Sequence, residues 1–298
     1  MLKNATALSD SKRQTKHRAL TRLQCSIHIS VTATSVSCIL VPQLPHMRKI
    51  RPILCAATFM FAASAQTPIA VVNGASFQAR FPIAPGSLAS AFPREGTLSV
   101  VGMAQAQALP LPTELNGVRV LVNQVAAPLV FVSAGQINFQ LPYDTPAGRV
   151  PVQVTAGGNT IGSGSIDVFE ISPALFVLDQ AGIPQGAILN QNSTVNSQTS
   201  RARRGEVIQI FATGQGPVSS TPSDGAPPSA LTTTATPPRA YVSVAEAQVE
   251  FSGLSPEFPG VWQLNIRIPD RTYISGQVPL VVTINGVESN IVSFWVAE

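Results

Sequence analysis

No cysteine, histidine or lysine occurs after residue 65 of this chain. Nucleophilic catalysis by Ser–His, Cys–His or Ser–Lys pairs is thereby excluded from residues 66–298. The usual ligands of zinc, haem and iron–sulfur centres are missing too, as is the Lys that closes a phosphate-binding loop. Disulfides are excluded, although two β domains bury enough core to do without them. The stretch also has no basic stripe: ten Arg stand against fourteen Asp or Glu, a net of −4. That balance disfavours nucleic-acid binding.

The net charge of +4 for the whole chain comes from its first 65 residues, which hold nine Lys or Arg and one acid, Asp10. All three Cys (Cys25, Cys38, Cys55) and all three His (His17, His28, His46) lie there as well. Met47-Arg48-Lys49-Ile50-Arg51 is followed by an apolar run from Ile53 to Ala63 and then by Ala63-Ser64-Ala65-Gln66. The order basic, apolar, small is that of a secretory signal peptide over residues 47–65, with cleavage expected after Ala65. The apolar run is shorter than the roughly 20 residues that a membrane-spanning helix needs, so contact with a membrane is expected only if this segment stays uncleaved. Residues 1–46 are polar, basic and without periodicity; they read as a non-native or disordered extension ahead of a start at Met47.

The remaining length of about 230 residues suits two domains. One stretch occurs twice, about 127 positions apart: Gln136-Ile137-Asn138-Phe139-Gln140-Leu141-Pro142 and Gln263-Leu264-Asn265-Ile266-Arg267-Ile268-Pro269. Each copy has apolar residues at alternate places and is followed by a turn and a valine-rich run, the pattern of half-buried strands. Further strands are expected over residues 68–77, 87–92, 117–123, 127–132, 150–155 and 162–169, the run at 127–132 being buried on both faces. In the second half they fall over 205–213, 239–244, 248–251, 261–268, 278–284 and 290–296. Spacings of about 10–15 residues and no helical stripe argue an all-β chain of two tandem immunoglobulin-like β-sandwiches, over residues 66–171 and 172–298. Between residues 218 and 238 the chain is rich in Ser, Thr, Pro and Ala around Asp224-Gly225. A loop of that length is functional or mobile.

Several strings resemble a known family: Val72-Asn73-Gly74-Ala75-Ser76-Phe77, Ala84-Pro85-Gly86-Ser87-Leu88, and Val132-Ser133-Ala134-Gly135 running into the first repeat. Ala202-Arg203-Arg204-Gly205-Glu206, Ala212-Thr213-Gly214-Gln215-Gly216-Pro217 and Phe251-Ser252-Gly253-Leu254-Ser255-Pro256 add to the likeness. Together they resemble the uncharacterised acidobacterial (Solibacter-type) C-terminal domain family, over essentially all of residues 70–298. The Gly-rich entry at Arg204-Gly205-Glu206 is similar to the IPT/TIG branch of the immunoglobulin-like fold. Residues 91–96 depart from the family pattern. The resemblance implies secreted, non-catalytic modules and supplies no catalytic, cofactor or metal residues.

The residues lead to the same reading. Acids are present, but no pair stands out as a glycosidase couple, and neither Asp144 nor Asp224 lies in a dense calcium-type loop. Gly157-Gly158 and Gly162-x-Gly164 read as turn glycines. Each Gln–Asn pair shares one strand face, where the amides are expected to bond a neighbouring loop or the other domain. The sharper alternative is a carbohydrate site at Trp262, Gln263 and Asn265, with the indole as a stacking ring. Trp295 reads as a core residue, and the Arg201, Arg203, Arg204 run as a solvated loop or as a contact for an acidic partner or glycan. The function expected is thus a secreted or cell-surface interaction or adhesion module, free of cofactor. Its partner would be an extracellular protein or polysaccharide; a carbohydrate-binding module and a structural spacer are the alternatives.

Overall fold

The computed structural model describes residues 66–79, 81–179 and 182–298, together with the backbone of two strands nearer the N-terminus. Those two, β1 (Ile29–Thr32) and β2 (Ser35–Cys38), pair antiparallel. The expected signal segment at 47–65 and the rest of residues 1–46 lie outside the described residues.

Among the described residues from 66 onward, every regular element is a strand. The first sheet contains β3 (Thr67–Asn73), β4 (Leu88–Pro93), β5 (Ala104–Gln105), β6 (Val118–Val122), β7 (Val125–Ala126), β8 (Leu129–Val132), β9 (Ile137–Gln140), β10 (Gly148–Ala156) and β11 (Asn159–Val168), in the order β5-β8-β9-β4-β3-β11-β10-β6-β7. One layer, β8-β9-β4-β3, faces the other, β11-β10-β6-β7, across a core centred on Val120, Leu129, Ile137, Phe139 and Val152. This is the immunoglobulin arrangement, with the first, second, fifth and fourth strands on one sheet and the third, sixth and seventh on the other. The layers join where β3 runs parallel to β11, Thr67 opposite Gly162. Gly162 and Gly164 are therefore strand residues, not turn residues. A Cβ on Gly164 would stand 2.6 Å from the Ile69 carbonyl oxygen, so the close approach of β3 requires glycine there.

The second sandwich repeats the plan with β12 (Ala174–Leu175), β13 (Ile188–Leu189), β14 (Val207–Thr213), β15 (Arg239–Val242), β16 (Ala245–Leu254), β17 (Trp262–Arg267), β18 (Gly276–Ile284), β19 (Val287–Glu288) and β20 (Val292–Val296). Its core gathers Ile208, Ile210, Trp262, Leu264, Leu280 and Phe294. The strand expected at 248–251 is part of the longer β16. One end of β16 pairs with β15 and the other with β17, with a bulge between Val249 and Phe251, so a single strand passes from one layer to the other.

Two further expectations change. The run at 127–132 is not buried on both faces, because Val130 and Phe131 are half exposed. The strand within it, β8, starts only after Pro128, which cannot donate to a ladder. A bulge between Leu129 and Phe131 breaks its alternation, so that Leu129 and Val132 are buried and the two residues between them are not. The divergent segment at 91–96 continues β4 as far as Pro93, with Ile69 opposite Pro93 and Ala91 opposite Ile137.

Candidate functional site

Trp262 is completely buried in the second core, and its indole N–H donates to Ser252 Oγ at 2.9 Å. A ring with no exposed face cannot stack on a sugar, so the expected carbohydrate site at Trp262, Gln263 and Asn265 is corrected: Trp262 is a core anchor. Strand parity explains the position. Trp262 is in phase with Leu264 and Ile266, which point inward, and Gln263 and Asn265 are out of phase with it. The amides are half-buried and turn to each other, Gln263 Nε2 donating to Asn265 Oδ1 at 3.0 Å. The first repeat does the same, with Gln136 Nε2 donating to Asn138 Oδ1 at 2.8 Å, an acceptor that Ser90 Oγ shares at 2.9 Å. The repeated amides thus bond within their own strand face rather than to a loop or the other domain.

The third polar residue of the first repeat, Gln140, was not singled out by the sequence. It is fully buried and bonds in two directions. Its Nε2 donates to the Gly86 carbonyl at 3.1 Å, and its Oε1 accepts from the Gly225 N–H at 2.7 Å. Gly225 is the tip of the long 218–238 loop, which lies against the first sandwich as a strap. Leu111 N–H donates to the Gly225 carbonyl at 2.8 Å, and Tyr143 N–H donates to Asp224 Oδ1 at 2.9 Å. Residue 225 has φ +76°, and a Cβ there would come within 2.9 Å of the Leu111 carbonyl oxygen, so only glycine fits. Burial pushes the Tyr143 phenol up to about 12, and the adjacent Asp224 charge adds to the rise. A second junction lies beside the strap: Thr213 Oγ1 donates to the Gly260 carbonyl at 2.7 Å and accepts from Leu88 N–H at 3.1 Å. A third is Ser172 Oγ donating to the Pro82 carbonyl at 2.6 Å.

The arginine run divides. Arg204 is drawn toward Asp270, with Nε 3.7 Å from Oδ1. Arg203 is exposed, while the Arg201 guanidinium lies over the Trp295 ring at 5.4 Å from its centroid. Trp295 is half exposed, out of phase with the buried Phe294 and Val296, and so stands on the outer face instead of in the core. Arg201 and Arg203 border an open cleft of about 370 Å³ that is lined by Asn190, Gln191, Asn192, Ser200 and Glu206. A larger open groove of about 650 Å³ follows the bend of β16, where Arg239 and Glu246 make a two-pronged ion pair at 2.7 and 2.8 Å. Among the described residues no group of three or more His, Cys, Asp or Glu gathers as a metal site.

No protein-family model matches the chain, and no curated protein matches it. Among solved structures it is similar to the surface glycan-binding protein SGBP-B of the Bacteroides ovatus mixed-linkage glucan utilization locus, at 11% identity and a TM-score of 0.31. That alignment covers 72% of this chain and 43% of the other, so the chain spans less than half the length of that protein. It is also similar to the Escherichia coli adhesin FdeC, at 10% identity and TM-score 0.23 over 79% of this chain and 65% of that one. A β-glycosidase from Bacteroides vulgatus matches at 12% identity and TM-score 0.23, over 76% of this chain and 24% of its own. Likenesses this distant assign neither a ligand nor an activity.

Proposed function

We propose that residues 66–298 form a non-catalytic, extracytoplasmic interaction or adhesion module that works as one rigid pair of sandwiches. The observation that carries this reading is the polar junction between the two sandwiches. Neighbouring domains in a chain move relative to one another unless their interface restrains them. Here the strap tip at Asp224-Gly225, the Thr213–Gly260–Leu88 relay and the Ser172–Pro82 bond hold the sandwiches at separate points. A pair held in this way suits presentation of a surface at a set distance and angle. The signal-like segment at 47–65 and the resemblance to the acidobacterial domain family support export and a non-enzymatic role.

The test is retention of purified residues 66–298 on soluble and insoluble polysaccharides and on envelope proteins, with sugar release scored alongside. Retention without release is the expected outcome. Release of reducing ends would overturn the non-catalytic reading.

A further inference from the structure

We propose that the cleft between Arg201, Arg203 and the 190–192 loop is a binding site for a carboxylate-bearing saccharide. The inference rests on the interaction-module reading and names the ligand class and the residues that would take it. Arg119, Arg149, Arg204, Arg239 and Arg267 each have a carboxylate within 4.0 Å. Arg201 and Arg203 have none among the described residues, yet both line one cleft. Arg201 is held ready: Nε donates to the Gln198 carbonyl at 2.9 Å, and the Trp295 ring supports the guanidinium plane. Its two terminal amino groups stay available as a fork for a carboxylate.

The rest of the wall is set for hydroxyls. Asn190, only 5% exposed, anchors it: Nδ2 donates to the Ser200 carbonyl at 2.9 Å, and Oδ1 accepts from Asn196 Nδ2 at 2.8 Å. Asn196 in turn donates to the Trp295 carbonyl and accepts from the Trp295 N–H, which ties the loop to β20. Gln191 Oε1 accepts from Val207 N–H at 3.0 Å, which leaves its amide nitrogen for a ligand. Glu206, which lines the cleft, accepts from Arg203 N–H through Oε2 at 2.8 Å, which leaves its other carboxylate oxygen as an acceptor for a sugar hydroxyl. With two guanidiniums and one carboxylate, the cleft has a net positive charge.

The main chain argues for a sugar over an acidic peptide. Recognition of an extended peptide draws on free backbone donors and acceptors. Of the residues that line the cleft, Asn190, Ser200, Arg203 and Glu206 already have their N–H groups bonded within this part of the chain. Recognition therefore falls mainly to side chains, and amides and hydroxyls beside a guanidinium fork match a uronate-type sugar.

The experiment is calorimetric titration of residues 66–298 with a galacturonate oligosaccharide, with a cello-oligosaccharide as neutral control and poly-glutamate as acidic-peptide control. Galacturonate is expected to bind more tightly than either control and to shift the emission of Trp295, a shift lost in Trp295→Phe. In Arg201→Gln/Arg203→Gln, whose side chains are exposed and whose thermal unfolding should be unchanged, affinity should fall by about tenfold or more. Arg201→Lys, which keeps the charge but loses the fork, should fall in between. The proposal is overturned if galacturonate does not bind, if the double variant binds it equally well, or if poly-glutamate binds as tightly. If galacturonate does not bind, retention of the protein on some other polymer or envelope protein would leave the interaction-module reading standing while removing this site.

Discussion

Burial of the Tyr143 phenol at the strap, reinforced by the Asp224 charge, gives one residue a measurable signature. Tyr143 is neutral when folded up to about pH 12, whereas an exposed tyrosine ionises near 10. Because the folded state holds this proton more tightly, stability is unaffected below pH 10 and falls as pH rises from about 10 to about 12. Alkaline unfolding followed by circular dichroism should be shallower over that window in Tyr143→Phe than in the parent, and equal slopes would remove Tyr143 from the account. At the same scale, the alternation of the doubled strand was plain in the sequence, with Ile137 and Phe139 inward and Gln136 and Asn138 outward, whereas the apolar run at 127–132 hid the half-exposed Val130 and Phe131. The same parity that placed Leu264 and Ile266 inside also placed Trp262 there, and put Trp295 outside. An aromatic ring beside amides suggests a sugar platform, but phase along the strand decides whether the ring is reachable.

At the level of the element, the strap was the part of the fold hardest to read. Ser, Thr, Pro and Ala around Asp224-Gly225 give no period, so composition says loop and nothing about where it docks. Its partners lie far away in sequence, Tyr143 81 positions and Gln140 85 positions off. Gln140 also sits at the place in its repeat where the second copy has Arg267, which instead bonds Glu250 and the Gly205 carbonyl. The repeat therefore hid the difference between the two copies. Gln140→Ala leaves the buried Gly225 N–H without an acceptor, a cost of about 1–3 kcal/mol concentrated on the strap. Thermolysin should then cut near the exposed Leu231 about tenfold faster or more, and an unchanged cleavage rate would mean that the strap is held by other contacts.

For the whole molecule, the two immunoglobulin-like sandwiches were legible from the doubled Gln-x-Asn strand, but their coupling was not, since it depends on those junction bonds. Coupled sandwiches should unfold together: calorimetry of residues 66–298 should give one transition, and Asp224→Ala/Gly225→Val should separate it into two. Two transitions in the parent protein would show that the junction bonds are too weak to couple the halves. The closing strands have a consequence of a different kind. Near each end, β11 is flanked by the opening segment of its own sandwich running parallel to it, at Thr67 beside Gly162 and at Ile83 beside Val168. β20 is flanked in the same way by Gln185 and Ala202. Tension applied to the two ends of such a sandwich pulls parallel neighbours lengthwise past one another. Their hydrogen bonds then carry the load side by side in shear and do not open one at a time like a zipper, so the fold that presents a surface is also built to bear a pull along the chain.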